Sequence, residues 1–314
     1  MSEMSPDSLN WTLVDGFVLL GLTEDPSLQR ILFITFLITY ALNLLGNASI
    51  ILLVILEQTL HTPMYFFLGN LSFFDICFSS VTVPKMLQNL LTQQKVISAT
   101  ACLAQMHFFH FLGSSEVLLL TAMSYDRYVA ICKPLHYRGI MNRRMCVLFA
   151  LGSWVTGFLH SLMHTLFTAQ LSFCGPNRVN HFFCDIKPLL KLACADTTLN
   201  VYLLAIVTGS LVMISFFLTL LSYMFIGSAL LRISSSTGRL RAFSTCASHL
   251  TVVVLLYGTA IFTYVRPITE ESLQVDRFAA IFFTVVTPML NPFIYTLRNQ
   301  DVQNATKRLF RCSM

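Results

Sequence analysis

The chain has 314 residues, of which 55% are hydrophobic and only 11% charged, whereas soluble domains carry about a quarter of their residues as Asp, Glu, Lys and Arg. So few charges cannot cover the surface of a soluble protein of this size, which excludes a soluble enzyme, a nucleic-acid-binding module and a disordered scaffold together. An integral membrane protein remains, and its net charge of +5 matters less than where the charges sit.

Crossing about 30 Å of hydrocarbon takes roughly 20 apolar residues in a helix, the conformation that satisfies its own backbone there. In chain order, uncharged or nearly uncharged runs cover Ile31 to Leu56, Thr62 to Pro84, Val96 to Tyr125, Met145 into the 160s, Thr197 to Leu231, Ala242 to Val265, and Phe278 to Leu297. The second and third runs each carry one acid, Asp75 and Glu116. The expected fold is an all-α bundle of seven transmembrane helices over 29–297, with an N-terminal segment 1–28 and a tail 298–314. Residues 1–28 hold no Lys or Arg, unlike the basic start of a cleaved signal peptide, so the first span is expected to serve as the insertion signal. The connections are short except for Gln170 to Thr198.

An odd number of spans puts the two ends on opposite faces. Lys133, Arg138, Arg143, Arg144, Arg232, Arg239, Arg241, Arg298, Lys307, Arg308 and Arg311 would share one face, and Lys95, Arg178, Lys187, Lys191, Arg266 and Arg277 the other. Positive-inside bias places the tail in the cytoplasm and the N-terminus outside. The sequon Asn10-Trp11-Thr12 then lies on the glycosylated side, whereas similar triplets at Asn47, Asn70 and Asn304 fall in spans or on the cytoplasmic face. Of nine cysteines, Cys102, Cys174, Cys184 and Cys194 lie outside, where two disulfides are expected and three pairings are open. Cys312 in the tail is a free thiol or a palmitoylation site.

Charges inside a membrane are expensive and point to function. Asp75 and Glu116 fall at similar depth on neighbouring spans. With Asn47, Ser115 and Asn291 they form either an oxygen-rich cage for a hard cation such as sodium or a water-filled hydrogen-bond cluster. At the cytoplasmic end of the third span, Asp126 can hold the fork of Arg127, or Arg127 simply anchors at the headgroups. Pro288 and Pro292 bend the seventh span and free carbonyls for Asn291 or water.

Together these segments are similar to a rhodopsin-like G-protein-coupled receptor, specifically an odorant (olfactory) receptor of the tetrapod type (class II). The resemblance runs through Leu60-His61-Thr62-Pro63-Met64-Tyr65-Phe66-Phe67-Leu68, Met123-Ser124-Tyr125-Asp126-Arg127-Tyr128-Val129-Ala130-Ile131-Cys132 with Pro134-Leu135-His136-Tyr137, Ser222-Tyr223, Ala242-Phe243-Ser244-Thr245-Cys246-Ala247-Ser248-His249, and Pro288 to Asn299. Departures from the family pattern are small: Ser124 for Ala, Arg241 for Lys, and Leu256 for Phe before Tyr257-Gly258. The resemblance implies disulfides Cys102–Cys184 and Cys174–Cys194. It implies a G-protein switch of Asp126, Arg127 and Tyr128 with Tyr223, His249, Asn291, Pro292 and Tyr295. It also implies coupling to the olfactory stimulatory Gα, a rise in cyclic AMP, and a plasma-membrane location in sensory cilia.

A volatile ligand is small and mostly apolar, so it must bind by burial with few polar contacts. Candidate contacts are Met106, Phe109, His110, Gly113, Ser114 and Val117 on the third span and Leu204, Val207, Thr208 and Leu211 on the fifth. Tyr257, Ala260, Ile261 and Tyr264 on the sixth span and Ala280 and Thr284 on the seventh complete the set. The seventh span has no Lys for a retinal Schiff base, and the outer third span has no acid to pair with an amine, which leaves a neutral or weakly polar ligand. The pairs His107/His110 and His160/His164 have metal-ligand spacing, but no Cys or acid nearby in sequence completes a site, and hydrogen-bonded helix histidines are the simpler reading. His181 is expected to order the outer loop. An ion-coupled transporter or channel using Asp75 and Glu116 is the alternative, and no His-Glu-x-x-His or Ser/Lys pairing suggests an enzyme.

Overall fold

A computed structural model describes residues 16–92, 95–174, 177–232, 236–264, 266, 268–298, 302–305 and 308. Asn10, Lys307, Arg311 and Cys312 lie outside the described residues. The chain forms long helices α1 (Pro26–Leu56), α2 (Pro63–Leu91), α3 (Ala99–Cys132), α4 (Arg143–Ala169), α5 (Thr198–Arg232), α6 (Ser236–Tyr264) and α7 (270–298). Their starts are written locally. Asp25, Ser98 and Asn142 accept hydrogen bonds from the first-turn amides of α1, α3 and α4, at 2.8, 3.2 and 3.1 Å. Pro26 and Pro63 occupy first-turn positions that need no amide donor.

All of these helices except α3 contain a stretch long and apolar enough to cross a membrane. At 34 residues α3 has the length, but Gln105, His110, Ser114, Ser115, Glu116, Ser124 and Asp126 dilute its apolarity. All seven are buried, because α3 runs through the middle and packs on α2, α4, α5 and α6. Leu45, Leu148, Ile214 and Phe225 are instead more than half exposed, as residues facing lipid should be. Closest approach falls at Gly157 of α4, where a Cβ would stand 2.1 Å from Ser115 Oγ and 2.8 Å from the Phe111 carbonyl. Ser115 thus faces α4, which corrects its expected place in the acid cage.

The proline-bent α7 is accommodated by α1. Pro292 has no amide to offer the Pro288 carbonyl, and Asn47 Nδ2 donates to that carbonyl at 3.0 Å. A Cβ at Gly46 would meet the Pro292 ring at 2.9 Å, so glycine lets the bent segment lie against α1. The freed carbonyl therefore goes to Asn47, where the sequence had offered Asn291 or water.

A small sheet caps the outer end, which an all-α expectation did not include. Strand β1 (Gly16–Leu19) pairs antiparallel with β2 (Val96–Ser98) and parallel with β3 (Arg178–Val179), in the order β2-β1-β3. Both disulfides implied by the resemblance are formed, with Cα separations of 5.4 Å for Cys102–Cys184 and 5.8 Å for Cys174–Cys194. Buried Lys187 clamps the long loop to the outer ends of α6 and α7. It donates to Asp276 at 3.2 Å and to the Thr263 carbonyl, and Arg266 reaches Asp276 at 2.6 Å. Arg277 donates to Asn180 Oδ1 at 3.0 Å and to the Gly21 carbonyl at 3.2 Å, tying the cap together.

His181 is buried in that loop between Phe182 and Phe183, with ring centroids 4.8 and 4.4 Å away. Burial pushes its imidazole down to about 4.

Two outcomes follow from this packing. Gly157→Ala should destabilise the α3–α4 contact by about 1–3 kcal/mol, as overpacking does, and lower the melting temperature in detergent. Gly152→Ala on the same helix, where an added Cβ meets nothing within 4 Å, should leave it unchanged, and equal melting of the two variants would contradict the contact. The second concerns His181. A histidine kept neutral by the fold takes up a proton when the loop opens. Its contribution is therefore full above the ordinary value of 6.5 and is lost as pH falls toward about 4. Hydrogen exchange around 179–185, corrected for intrinsic rates, should accelerate between pH 7 and 5, and His181→Phe should remove that acceleration.

Candidate ligand cavity and cytoplasmic switch

In the outer half of the bundle a partly open cavity of about 60 Å³ lies between α2, α3, α5, α6 and α7. Of the residues expected from the sequence, Phe109, His110, Gly113, Ser114, Val117, Thr208, Leu211, Ala260 and Tyr264 line it. Phe78, Glu116, Val212, Leu256, Thr259 and Phe283 line it as well, and none of these was read from sequence as a ligand contact. The remaining candidates lie outside the wall. Met106 and Leu204 join the outer cluster around Cys102–Cys184. Tyr257 sits below the cavity, its hydroxyl 2.8 Å from Thr121 Oγ1 and 3.2 Å from the Val117 carbonyl. Thr284 turns its hydroxyl to the Ala280 carbonyl at 2.6 Å, and Val207 and Ile261 are half-buried outside the lining.

On α5 and α7 the displacements have a common physical source. Both α5 and α7 contain a π-helical turn, Leu204–Thr208 and Phe282–Val286. Each wider turn rotates the face that 3.6-residue spacing would assign. Thr208 and Phe283 within those turns then point at the cavity.

Phe109 and Phe183 close the roof, with ring centroids 4.5 Å apart. His110 Nε2 donates to Asp185 Oδ1 at 3.1 Å. Burial works to raise the Asp185 carboxyl, but the His110 bond and charge outweigh it and leave it below its ordinary range. Asp185 also accepts from the Ile186 amide at 2.7 Å, capping the short helix Ile186–Leu192. The roof is thus latched to α3 by this bond and by the disulfide one residue earlier in the loop. On the α4 side, His160 bonds Ser114 and Thr208, both at 2.9 Å, and His164 bonds Thr208 at 3.0 Å. His107 bonds Thr165 at 3.2 Å and Ser161 at 3.1 Å. The histidines are therefore engaged with hydroxyls. Among the described residues no group of three or more His, Cys, Asp or Glu is placed to hold a metal ion.

Below the cavity lies the acid layer. Asn291 Nδ2 donates to both Asp75 oxygens, at 3.0 and 2.9 Å. Asp75 and Glu116, both fully buried, interact electrostatically. Glu116 Oε1, Asn47 Oδ1 and Asn291 Oδ1 are buried without a hydrogen-bond partner among the described residues. Unpartnered oxygens beside two carboxylates are a donor set that suits a hard cation.

At the cytoplasmic end, Arg127 lies 3.8 Å from Asp126. Tyr137, which the sequence offered only as part of the family pattern, donates to the other Asp126 oxygen at 2.8 Å. Burial and the Asp126 carboxylate push the Tyr137 hydroxyl above the ordinary phenol range, so it remains a donor. The Tyr223 hydroxyl and His249 Nδ1 are 2.7 Å apart, joining α5 to α6. Tyr295 is buried, its hydroxyl without a partner among the described residues. Tyr128 packs on Phe225 with ring centroids 5.7 Å apart. The arrangement holds Arg127 against its own helix and ties the inner ends of α5 and α6 together.

Comparison with known proteins agrees with this architecture. The olfactory receptor family model matches residues 36–312. The chain is 54% identical to human olfactory receptor 12D1 over 304 residues, covering 96% of this chain and 95% of that protein. It is 54% identical to human olfactory receptor 12D3 over 302 residues, with 96% of each covered. It is 48% identical to mouse olfactory receptor 5AR1 over 303 residues, covering 96% of this chain and 98% of that protein. The chain is a multi-pass, non-enzymatic seven-helix membrane protein and belongs to the olfactory receptor family.

Proposed function

We propose that this receptor binds a small, mostly apolar volatile in the cavity between α3, α5, α6 and α7 and, on binding it, activates a stimulatory olfactory Gα that raises cyclic AMP at the ciliary plasma membrane. The largely apolar cavity carries the reading. Its wall is largely Phe, Val, Leu and Ala, with polar groups supplied by His110, Ser114, Glu116, Thr208, Thr259 and Tyr264. The Tyr264 hydroxyl is buried without a partner among the described residues and is a natural donor for a ligand carbonyl or ether oxygen. Gly113 sets the width of the wall: a Cβ there would already touch the Phe78 ring at 3.4 Å.

The test is cyclic AMP in cells expressing the receptor and given panels of volatiles. Arg127→Ala should abolish evoked cyclic AMP while surface expression persists. Gly113→Leu, which fills the cavity, should lower odorant potency by about tenfold or more through steric exclusion. A normal dose–response curve from Gly113→Leu would remove this cavity as the site. Odorant-evoked current that is independent of G protein and survives Arg127→Ala would favour an ion channel.

For the acid layer, we propose a bound sodium ion held by Asp75 and Glu116 with the amide oxygens of Asn47 and Asn291. The ion would offset the charge of two carboxylates in a low-dielectric interior. Purified receptor should melt at higher temperature in sodium chloride than in choline chloride. Asp75→Asn and Glu116→Gln should erase that difference and shift basal cyclic AMP by about twofold or more, the scale of a weak coupling between sites. Identical melting of wild-type receptor in the two salts would leave only a water-filled cluster.

A further inference from the structure

Among the described residues a second recess is larger than the ligand cavity. A groove of about 670 Å³ lies between α3, α4 and α5 in the cytoplasmic half of the bundle. Leu148, Ile214, Leu218 and Phe225 on its rim are 61, 60, 51 and 51% exposed, so the groove opens sideways into the acyl chains and not into water. It extends from Leu118 to Tyr128 along α3, a rise of roughly 15 Å. Its inner end therefore lies near the cytoplasmic headgroups, one residue beyond Arg127.

Two features separate this groove from an ordinary lipid-facing surface. Thr121, Tyr125, Ser153, Thr156, Ser215 and Ser222 all present hydroxyl-bearing side chains along it. Hydroxyl groups are costly in hydrocarbon unless they are hydrogen-bonded. Ser153 donates to the Phe149 carbonyl at 2.8 Å and Ser222 to the Leu218 carbonyl at 3.0 Å. Each donor is used within its own helix, while each oxygen keeps acceptor capacity toward the groove. Gly152, in the α4 wall, supplies the second feature. Nothing stands within 4 Å of where its Cβ would be, so the glycine leaves a flat recess between Leu148 and Thr156.

We propose that this groove is a binding site for a membrane sterol. A sterol offers one hydroxyl donor for oxygens whose own donors are engaged, and a flat, rigid body for the wall beside Gly152. An acyl chain fits neither feature: it has no donor at this depth, and it loses more conformational freedom on being held. The polar end lies toward the cytoplasmic interface beside Tyr125 and Ser222, with the ring body running toward Thr156 and Ile214. The site bears on signalling through Thr121, which lines the groove and bonds the Tyr257 hydroxyl at 2.8 Å. The neighbouring Leu256 lines the ligand cavity. An occupant packed against this stretch of α3 thereby supports the Thr121–Tyr257 contact from the lipid side.

Photolabelling of the purified full-length receptor tests the proposal without an odorant. The receptor is reconstituted in phosphatidylcholine vesicles containing a photoactivatable cholesterol analogue, and labelled peptides are mapped. Saturable labelling is expected on residues 118–128 and 148–156, competed by excess cholesterol. Gly152→Trp, whose Cβ meets nothing within 4 Å, projects an indole into the recess and should reduce that labelling by about tenfold or more through exclusion. A phosphatidylcholine carrying a photoactivatable acyl chain should label wild type and Gly152→Trp alike. Should the tryptophan variant fail to fold, competition and peptide mapping in the wild type decide alone. Labelling that cholesterol does not compete, or that persists in folded Gly152→Trp, would overturn the proposal. Equal labelling of the groove by the phospholipid probe would reduce it to annular lipid. Efficient disulfide crosslinking between copies through Gly152→Cys would reassign the groove as a protein interface.

Discussion

In hydrocarbon a polar group without a partner has no water to turn to, and that constraint organises this receptor. Its effect is clearest on α3. Gln105 donates to the Val81 carbonyl of α2 at 2.8 Å and accepts from the Cys184 amide of the outer loop at 2.9 Å. His110 meets Asp185, Ser114 meets His160, and Thr121 meets Tyr257. These bonds lead from α3 to α2, the outer loop, α4 and α6. The long helix that lacks a stretch apolar enough to cross a membrane on its own is therefore one surrounded by protein, and its polar side chains fix how its neighbours are set around it.

The same constraint explains how the bundle accommodates a flaw in its own backbone. Pro292 strips α7 of one donor, and the stranded carbonyl of Pro288 is met by Asn47 from α1. Asn47 also donates to the Asn43 side chain at 2.6 Å, while Asn43 donates to Ser79 of α2. Asn291, next to the proline, donates to both oxygens of Asp75 on α2. A bend in one helix is thus coupled to two others by short polar links. Any change in that bend must re-pair Asn47 or Asn291, which makes this layer a place where two discrete arrangements can exchange, not a continuously flexible one.

Much of this was legible in the chain. Apolar run lengths mark the spans, Asp25, Ser98 and Asn142 mark helix starts, and Asp75 and Glu116 stand out because charge is expensive in lipid. Disulfide pairing was not legible from spacing, since four cysteines allow three solutions, and it came only with the family pattern. Three structural features escaped. The π-turns at Leu204–Thr208 and Phe282–Val286 have no residue signature, and they displaced the predicted ligand faces of α5 and α7. Ser115 was assigned to the acid layer by its neighbour Glu116, yet successive residues on a helix diverge by about 100°, and it faces Gly157 instead. Strand β1, Gly16–Leu19, is too short to show alternation, and its partners Val96–Ser98 and Arg178–Val179 are distant in sequence and set beside it only by the tertiary fold.

The size of the ligand cavity bears on how binding could reach the cytoplasmic face. About 60 Å³ is well below the roughly 150 Å³ that holds a benzene ring in an engineered protein cavity. On the proposed reading, an odorant of several carbons can be held only in an arrangement with a wider cavity, and it stabilises that arrangement by its preference for it. The wall cannot widen uniformly. Phe109 is fixed by the roof through Phe183, and α3 is tied to α4 through Gly157 and Ser115. Lys187 clamps the outer ends of α6 and α7 through the Thr263 carbonyl and Asp276, which leaves the stretch of α6 below that clamp, around Leu256, as the movable side. Moving α6 outward shifts Leu256 and strains the Tyr257–Thr121 bond directly beneath it. Further down the same helix His249 is bonded to Tyr223, so displacement of α6 also loads the contact that ties α5 and α6 together near Arg127. On that reading, a ligand that prefers the wide cavity and a G protein that prefers the displaced α6 would be coupled through one rigid element, and by linkage each would raise the receptor's affinity for the other.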